Sequence, residues 1–184
     1  MSDRLTPTNL ENYRSICIPI NRVMRCFFIT CSKELHEMVI RPYKPADKGQ
    51  LLEIFKSNTP KYFDPKEVRD FENYLKQNGS TYLTIERDNT IVGGTGYYVN
   101  EKDNSGSITW VFFNPSYTGK GLGRQSVEHC LAQLRKDRRV EKLVVTTSQH
   151  AYRFFEKFGY SLIGTEKDYW GEGLDLYEME MPNI

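Results

Sequence analysis

The stretch Asn114-Pro115-Ser116-Tyr117-Thr118-Gly119-Lys120-Gly121-Leu122-Gly123-Arg124 holds the residues best placed to do chemistry through their backbone. Gly119, Gly121 and Gly123 leave neighbouring amides uncovered, and Lys120 and Arg124 add positive charge. Such amides can turn together toward an anion, and a helix start behind them contributes its positive pole. A plain strand-to-helix connection needs fewer glycines, so a pyrophosphate-like guest suits this loop. Two common phosphate loops are excluded. A Walker loop needs Gly-Lys followed by Ser or Thr, whereas Gly121 follows Gly119-Lys120. A dinucleotide fingerprint counted from Gly119 meets Arg124 where its last glycine belongs.

The loop needs a strand before it and a helix behind it, and the flanking pattern supplies both. Ser107–Phe113 is β-branched and aromatic, while Val127, Cys130, Leu131 and Leu134 form an apolar stripe on a helix from about Leu122 to Lys136. Upstream, Met38–Arg41 reads as a first strand. Asp47 with Gln50 reads as a variant capping box opening a helix that Asn58-Thr59-Pro60 ends. Asp64-Pro65 opens a second helix with Val68, Phe71 and Leu75 inward, closed by Asn78-Gly79. Thr81–Arg87 and Thr90–Asn100 are strands joined at Asp88-Asn89. Downstream come a strand over Lys142–Thr147 and a helix from about Gln149 to Phe158, stopped by Gly159. Two last strands, about Tyr160–Lys167 and Leu174–Met181, flank a Trp170-Gly171-Glu172-Gly173 turn. The order β-α-α-β-β-β-α-β-α-β-β predicts an α/β (α+β) domain, a mixed sheet with helices on both faces.

Composition narrows the partners. At 184 residues and net charge +1, with no basic block or acidic tail, nothing favours nucleic acid or a membrane surface. The apolar stretch Ile16–Cys31 is broken by Pro19, Arg22 and Arg25, which makes it too short to span a bilayer, and it lacks a small-residue cleavage site. Cys17, Cys26, Cys31 and Cys130 form no paired motif, so free thiols in a reducing cytoplasm are expected. Cys26, Cys31 and His36 fall five apart, a step that scatters ligands round a helix, so no metal is expected. Residues 1–37 show no sustained period. They are set apart as an extension of unknown role: a packing arm, a homodimer contact or a dispensable stretch.

Phe113-Asn114-Pro115 followed by Tyr117–Arg124 resembles the acetyl-CoA motif of the GNAT superfamily of N-acetyltransferases, usually Gln/Arg-x-x-Gly-x-Gly/Ala after a strand. Ala151-x-x-Phe154-Phe155-Glu156-Lys157-x-Gly159-Tyr160 is similar to that family's second motif, and the element order from Met38 to Met181 fits as well. The resemblance implies a GNAT-type, mostly antiparallel sheet that splays at its central strands, over residues 38–184. It implies main-chain contacts from Val111, Phe112 and Phe113 to the pantetheine arm, and pyrophosphate contacts from the amides of Gly119, Lys120, Gly121, Leu122, Gly123 and Arg124. Ser148 stands where the family often has an Asn on the cofactor arm, although it also reads as a helix N-cap.

Acetyl transfer from a thioester to an amine needs a neutral amine, although such an amine has a pKa of about 10.4. It also needs a donor for the oxyanion, which the Phe113 amide could supply, and stabilisation of the departing thiolate. The family's usual tyrosine acid falls at Phe155, which has no proton and fits the apolar stripe of its helix. Tyr152, about 60° round that helix, is the candidate substitute and equally a surface aromatic. No carboxylate stands on the central strands. Glu172, Asp175 or a water chain could serve as base, and His150 reads better as an exposed polar residue. Cys130 reads as packing. The family's acceptor pocket nominates Tyr62, Phe63, Tyr97 and Trp170, which also fit ordinary core aromatics.

The expected function is therefore acetyl transfer from acetyl-CoA to a primary amine, small-molecule or peptide, by direct attack in a ternary complex. The rival is a non-catalytic acyl-CoA-binding module. A nucleotide binder is the third reading, and it requires NAD or ATP to compete with CoA for the loop.

Overall fold

The computed structural model describes two N-terminal strands and residues 38–184. The chain divides into two units, Met1–Glu37 and Met38–Ile184. In the first, β1 (Tyr13–Ile20) and β2 (Val23–Thr30) pair antiparallel, with Tyr13 opposite Thr30 and Ile20 opposite Val23. The set Cys26, Cys31 and His36 falls outside the residues whose side chains are described.

The second unit is a seven-stranded sheet in the order β3-β4-β5-β6-β7-β9-β8. Its strands are β3 (Met38–Pro42), β4 (Tyr82–Arg87), β5 (Thr90–Asn100), β6 (Ser105–Phe113), β7 (Lys142–Thr147), β8 (Ser161–Gly171) and β9 (Leu174–Pro182). All pairings are antiparallel except β6 with β7, the pair that a helical crossover joins. The helices are α1 (Lys48–Lys56), α2 (Glu67–Asn78), α3 (Leu122–Leu134) and α4 (Tyr152–Glu156).

Strand alternation assigns the helices to opposite faces. Tyr82 and Phe112 pack with Leu51, Phe55, Phe71 and Leu75 of α1 and α2. Leu83, Ile108, Leu143, Val145 and Met179 pack with Val127, Cys130, Leu131 and Leu134 of α3 and with Phe155 of α4. Phe55 and Phe71 stack with centroids 5.0 Å apart and are fully buried, each contributing about 1.5–3 kcal/mol.

Three local expectations are corrected. Asp47 does not cap α1. Its buried carboxylate takes two bonds from the Arg41 guanidinium at 2.7 and 2.9 Å, with the Thr84 hydroxyl and the Lys44 amide as further donors. The helix expected from Gln149 is only Tyr152–Glu156. The Gln149 side chain is drawn to the β8–β9 hairpin, donating to the Gly173 carbonyl at 2.6 Å and accepting from the Asp175 amide at 3.0 Å. Trp170 and Gly171 belong to β8 rather than to the turn.

Candidate active site

A bulge in β6 creates the site. Gly94 pairs with Phe112 but Gly96 pairs with Thr109, so Trp110 and Val111 together oppose Thr95. Trp110 carries the bulge at φ 49, which is rare for an aromatic residue. Its carbonyl, released from the ladder, accepts from the buried Tyr82 hydroxyl at 3.0 Å. The Tyr82 ring lies so close to Gly94 that a Cβ there would strike the hydroxyl. Glycine in β5 therefore makes room for the group that holds the bulge.

Beyond the bulge, β6 leaves β7. The parallel pairing covers only Ser105–Ser107 against Lys142–Val144. From there Ile108–Phe113 and Val145–Thr147 line the two sides of a cavity of about 330 Å³. The Asn114 amide donates to the Val92 carbonyl at 2.8 Å, so residue 114 bonds toward β5. By the alternation of an antiparallel ladder, the Phe113 N–H and C=O point the other way, into the gap. The Phe113 carbonyl is held there by the Asn58 side-chain amide at 2.9 Å, leaving the Phe113 N–H as a donor facing the cavity.

The glycine turn lies at one end of the gap. Gly119 and Gly121 have φ of 78° and 79°, with no atom near enough to exclude a Cβ, so backbone conformation is what demands glycine there. Gly121 precedes α3, and the first bond into that helix runs from the Gln125 amide to the Gly121 carbonyl. The amides of Leu122, Gly123 and Arg124 therefore lack intrahelical acceptors. Lys120 Nζ sits 4.5 Å from the centre of the Tyr117 ring, and Arg124 bonds Glu128 at 2.8 Å. Gly123 and Thr118 line the cavity, which joins the turn to the gap.

The other end is aromatic. Tyr62, Phe63 and Trp170 line it, and Trp170 Nε1 donates to the Thr147 carbonyl at 3.2 Å. A Cβ at Gly171 would run into the Asp64 carboxylate, so the β8–β9 hairpin closes directly against the entry to α2. Tyr62 meets His150 edge-on at 6.0 Å. Ser148 is buried in the wall; its hydroxyl accepts from the His150 amide at 3.4 Å and its carbonyl accepts from the Ala151 and Tyr152 amides. Ser148 thus forms the turn into α4 and lines the cavity at once.

Two expected residues are not brought to the cavity. Tyr152 stacks on Tyr177 of β9 at 4.7 Å, and its hydroxyl accepts from Arg153 Nε at 3.0 Å. It is not among the cavity-lining residues, because α4 begins at Tyr152 and directs this first side chain toward β9. Tyr97 packs on the α3 side of the sheet rather than in the acceptor end. Phe155 lines the cavity, buried edge-on against Tyr160. Of the carboxylates considered, Asp175 accepts from the Asp168 amide within the hairpin, and neither it nor Glu172 lines the cavity. Cys130 is packing: burial pushes its thiol up to about 11.

Two residues of the cavity wall escape a reading of the sequence. Asn58 reads as a helix terminator, yet its buried amide nitrogen bridges the Ile54 and Phe113 carbonyls. Glu67, three residues after Asp64, accepts the Asp64 amide at 2.7 Å at the start of α2. It also lines the cavity, where burial pushes its carboxyl up to about 7 against the lowering effect of that amide, with the Asp64 and Asp70 charges adding to the rise. The Asp64-x-x-Glu67 spacing was its only signal.

Among the described residues, no group of His, Cys, Asp and Glu is placed to hold a metal, and no helix is long and apolar enough to cross a membrane. Residues 49–160 match the model of the Acetyltransferase (GNAT) family. The spermine/spermidine N(1)-acetyltransferase of Bacillus subtilis (strain 168) is 31% identical over 86 residues, covering 43% of this chain and 55% of that enzyme. The chain thus spans about half the length of the curated relatives it matches. The fold is shared with an N-acetyltransferase from Staphylococcus aureus Mu50, at TM-score 0.64 and 16% identity, covering 80% of this chain and 99% of that one. It is shared too with the ribosomal-protein-alanine N-acetyltransferase of Brucella melitensis, at TM-score 0.62 and 20% identity, covering 78% and 99%. An aminoglycoside 6'-N-acetyltransferase complexed with coenzyme A matches at TM-score 0.62 and 14% identity, covering 79% and 97%.

Proposed function

The chain belongs to the acetyltransferase (GNAT) family, acyltransferases whose acyl donor is acetyl-CoA, and from that premise we propose that it acetylates a primary amine by direct attack in a ternary complex. One observation carries this reading: the gap between β6 and β7 runs from a glycine turn with unpaired amides to an aromatic mouth, with the Phe113 N–H facing into it. Donor and acceptor can therefore enter from opposite ends and meet.

The donor fits the residues present. The main chain from Val111 to Phe113 borders the gap that the pantetheine arm would occupy, with the Phe113 carbonyl already taken by Asn58. The amides from Gly119 to Arg124 would suit the pyrophosphate, and Ser148 lines the same cavity. When bound, acetyl-CoA supplies an activated carbonyl and a good leaving group. The Phe113 N–H is placed to stabilise the oxyanion. With Phe155 apolar and Tyr152 turned away, no α4 tyrosine donates to the sulfur, and its proton comes from the attacking nitrogen or solvent.

Tyr62, Phe63 and Trp170 form the acceptor end, where Glu67 is the single carboxylate and, among the described residues, no lysine or arginine lines the wall. That balance favours a cationic amine, the class to which the substrates named for the Bacillus subtilis relative belong. The acetyltransferase domain is residues 38–184, with residues 1–37 outside it, and the expected compartment is the cytoplasm. The absence of an α4 tyrosine from the cavity favours one alternative, an acyl-CoA-binding module without chemistry. Incubation with acetyl-CoA and a panel of amines decides: the enzyme releases free thiol with at least one amine, whereas binding without release on every amine establishes the module.

A further inference from the structure

We propose that Glu67 is the base that takes the proton which the acceptor ammonium must lose before attack. The assignment rests on the acetyl-transfer reading above. Glu67 shares one cavity with Phe113, Trp110 and Trp170, and so stands at the acceptor end of the gap. One carboxylate oxygen, Oε2, is fixed by the Asp64 amide at 2.7 Å. Among the described residues the Glu67 carboxylate takes no other hydrogen bond, so Oε1 is left for a ligand. A cap needs one oxygen, and the second has no structural task.

The surroundings suit the role. On its own segment the charged neighbours are Asp64, Lys66, Arg69 and Asp70; Asp64 and Asp70 oppose its ionisation, and Lys66 and Arg69 are exposed and do not line the cavity. From the α1 side comes Tyr62, with Lys61 Nζ over its ring at 5.0 Å. The 148–151 turn places His150 behind Tyr62. β6 presents only uncharged groups, and the hairpin contributes Trp170 while its Asp168 and Asp175 bond within the hairpin. Among the described residues no cation lies in the cavity wall to hold Glu67 ionised, so the incoming ammonium is its natural counter-ion.

The raised carboxyl also shortens the proton transfer. Between an ordinary glutamate at about 4.3 and an amine at about 10.4 the mismatch is about six pKa units. Lifting the glutamate to about 7 removes nearly half of it while leaving much of the base ionised at neutral pH. In the step, the ammonium gives one proton to Glu67 Oε1, and the freed lone pair forms the C–N bond at the acetyl carbon. The C–S bond breaks with its electron pair on sulfur, the second nitrogen proton completes the thiol, and Glu67 returns its proton to solvent.

Glu67→Gln separates this role from capping, because the glutamine carbonyl can still accept the Asp64 amide. Thiol release is measured against pH from 5.5 to 9 for wild type and E67Q, with CoA affinity alongside, and the Glu67 carboxyl is titrated by 13C NMR in the wild-type protein without substrates. The wild-type kcat/KM is expected to rise through an apparent pKa near that of the NMR titration, about 7. E67Q should lose about 10²–10⁴-fold in kcat/KM together with that limb, while binding CoA normally. If wild type turns over and E67Q keeps its rate and limb, or if the carboxyl titrates near 4.3 as in a model peptide, the assignment is overturned and the acetyl-transfer reading stands. If wild type releases thiol with no amine, that reading fails and takes the assignment with it.

Discussion

The side-chain amide of Asn58 donates to the Phe113 carbonyl oxygen at 2.9 Å, fastening the end of α1 to the last residue of β6. The N–H of that same peptide, Asn114's, donates to the Val92 carbonyl, so the two bonds fix the Phe113–Asn114 peptide plane and through it the backbone of Phe113, whose own N–H faces the cavity. Asn58→Ala leaves a buried carbonyl unpaired, at a cost of about 1–3 kcal/mol. We expect a lower melting temperature and a fall in kcat that exceeds the loss of CoA affinity. An unchanged kcat would show that the backbone at Phe113 needs no such support.

Tyr82→Phe tests the bulge. It deletes the hydroxyl that satisfies the Trp110 carbonyl and should cost about 1–3 kcal/mol in urea unfolding. Gly94→Ala forces a methyl group onto the same ring and should be worse, because neither the ring nor the strand has room to move. Equal stability of the two variants would contradict this packing.

Gly119→Ala and Gly121→Ala each place a Cβ at positive φ, a strain of about 1–2 kcal/mol. Space is not the difficulty, so the fold should survive with the turn altered. Calorimetry with CoA should show weaker binding, about tenfold, at nearly unchanged helix content. Full affinity in both variants would remove the turn from the binding site.

Tyr152→Phe should leave the rate of thiol release unchanged at every pH, since the Tyr152 hydroxyl is engaged by Arg153 away from the cavity. A loss confined to alkaline pH would restore this residue as an acid.

Two carboxyls give opposite pH signatures. The Arg41 hydrogen bonds hold the Asp47 carboxyl below its ordinary value despite burial, so its contribution is present above the unfolded pKa and is lost as pH falls below about 4. Asp47→Asn should be less stable at pH 7 by about 2–3 kcal/mol and flatter in acid. Glu67 is raised instead: between its unfolded value and about 7 the folded state binds more protons, so stability falls as pH rises through that window. Melting curves should therefore show E67Q gaining on wild type between pH 5 and 8.

Much of the architecture is local and was readable. Apolar stripes such as Val127, Cys130, Leu131 and Leu134 depend only on helical spacing, and they placed α1, α2 and α3 within a few residues. β1 and β2 were missed although Ile16, Ile18 and Ile20 alternate, because Pro19 and the arginines interrupt the pattern. Gly119 and Gly121 were legible for the same reason as the stripes, since a positive φ is a property of one residue and glycine announces it.

The amino-acid sequence by itself determined α1, α2 and α3, the succession of elements from Met38 onward and a glycine turn at positive φ, all consequences of contacts or dihedral preferences within a few residues. Tertiary structure alone decided where β6 parts from β7, that Phe113 turns its N–H into the gap, and that Tyr152 faces Tyr177 rather than the cavity. It also brought Glu67, to which the sequence analysis gave no role, into the cavity wall. Burial and the direction of a side chain are set by neighbours distant in the chain, and the chemistry of a carboxyl group follows from those neighbours.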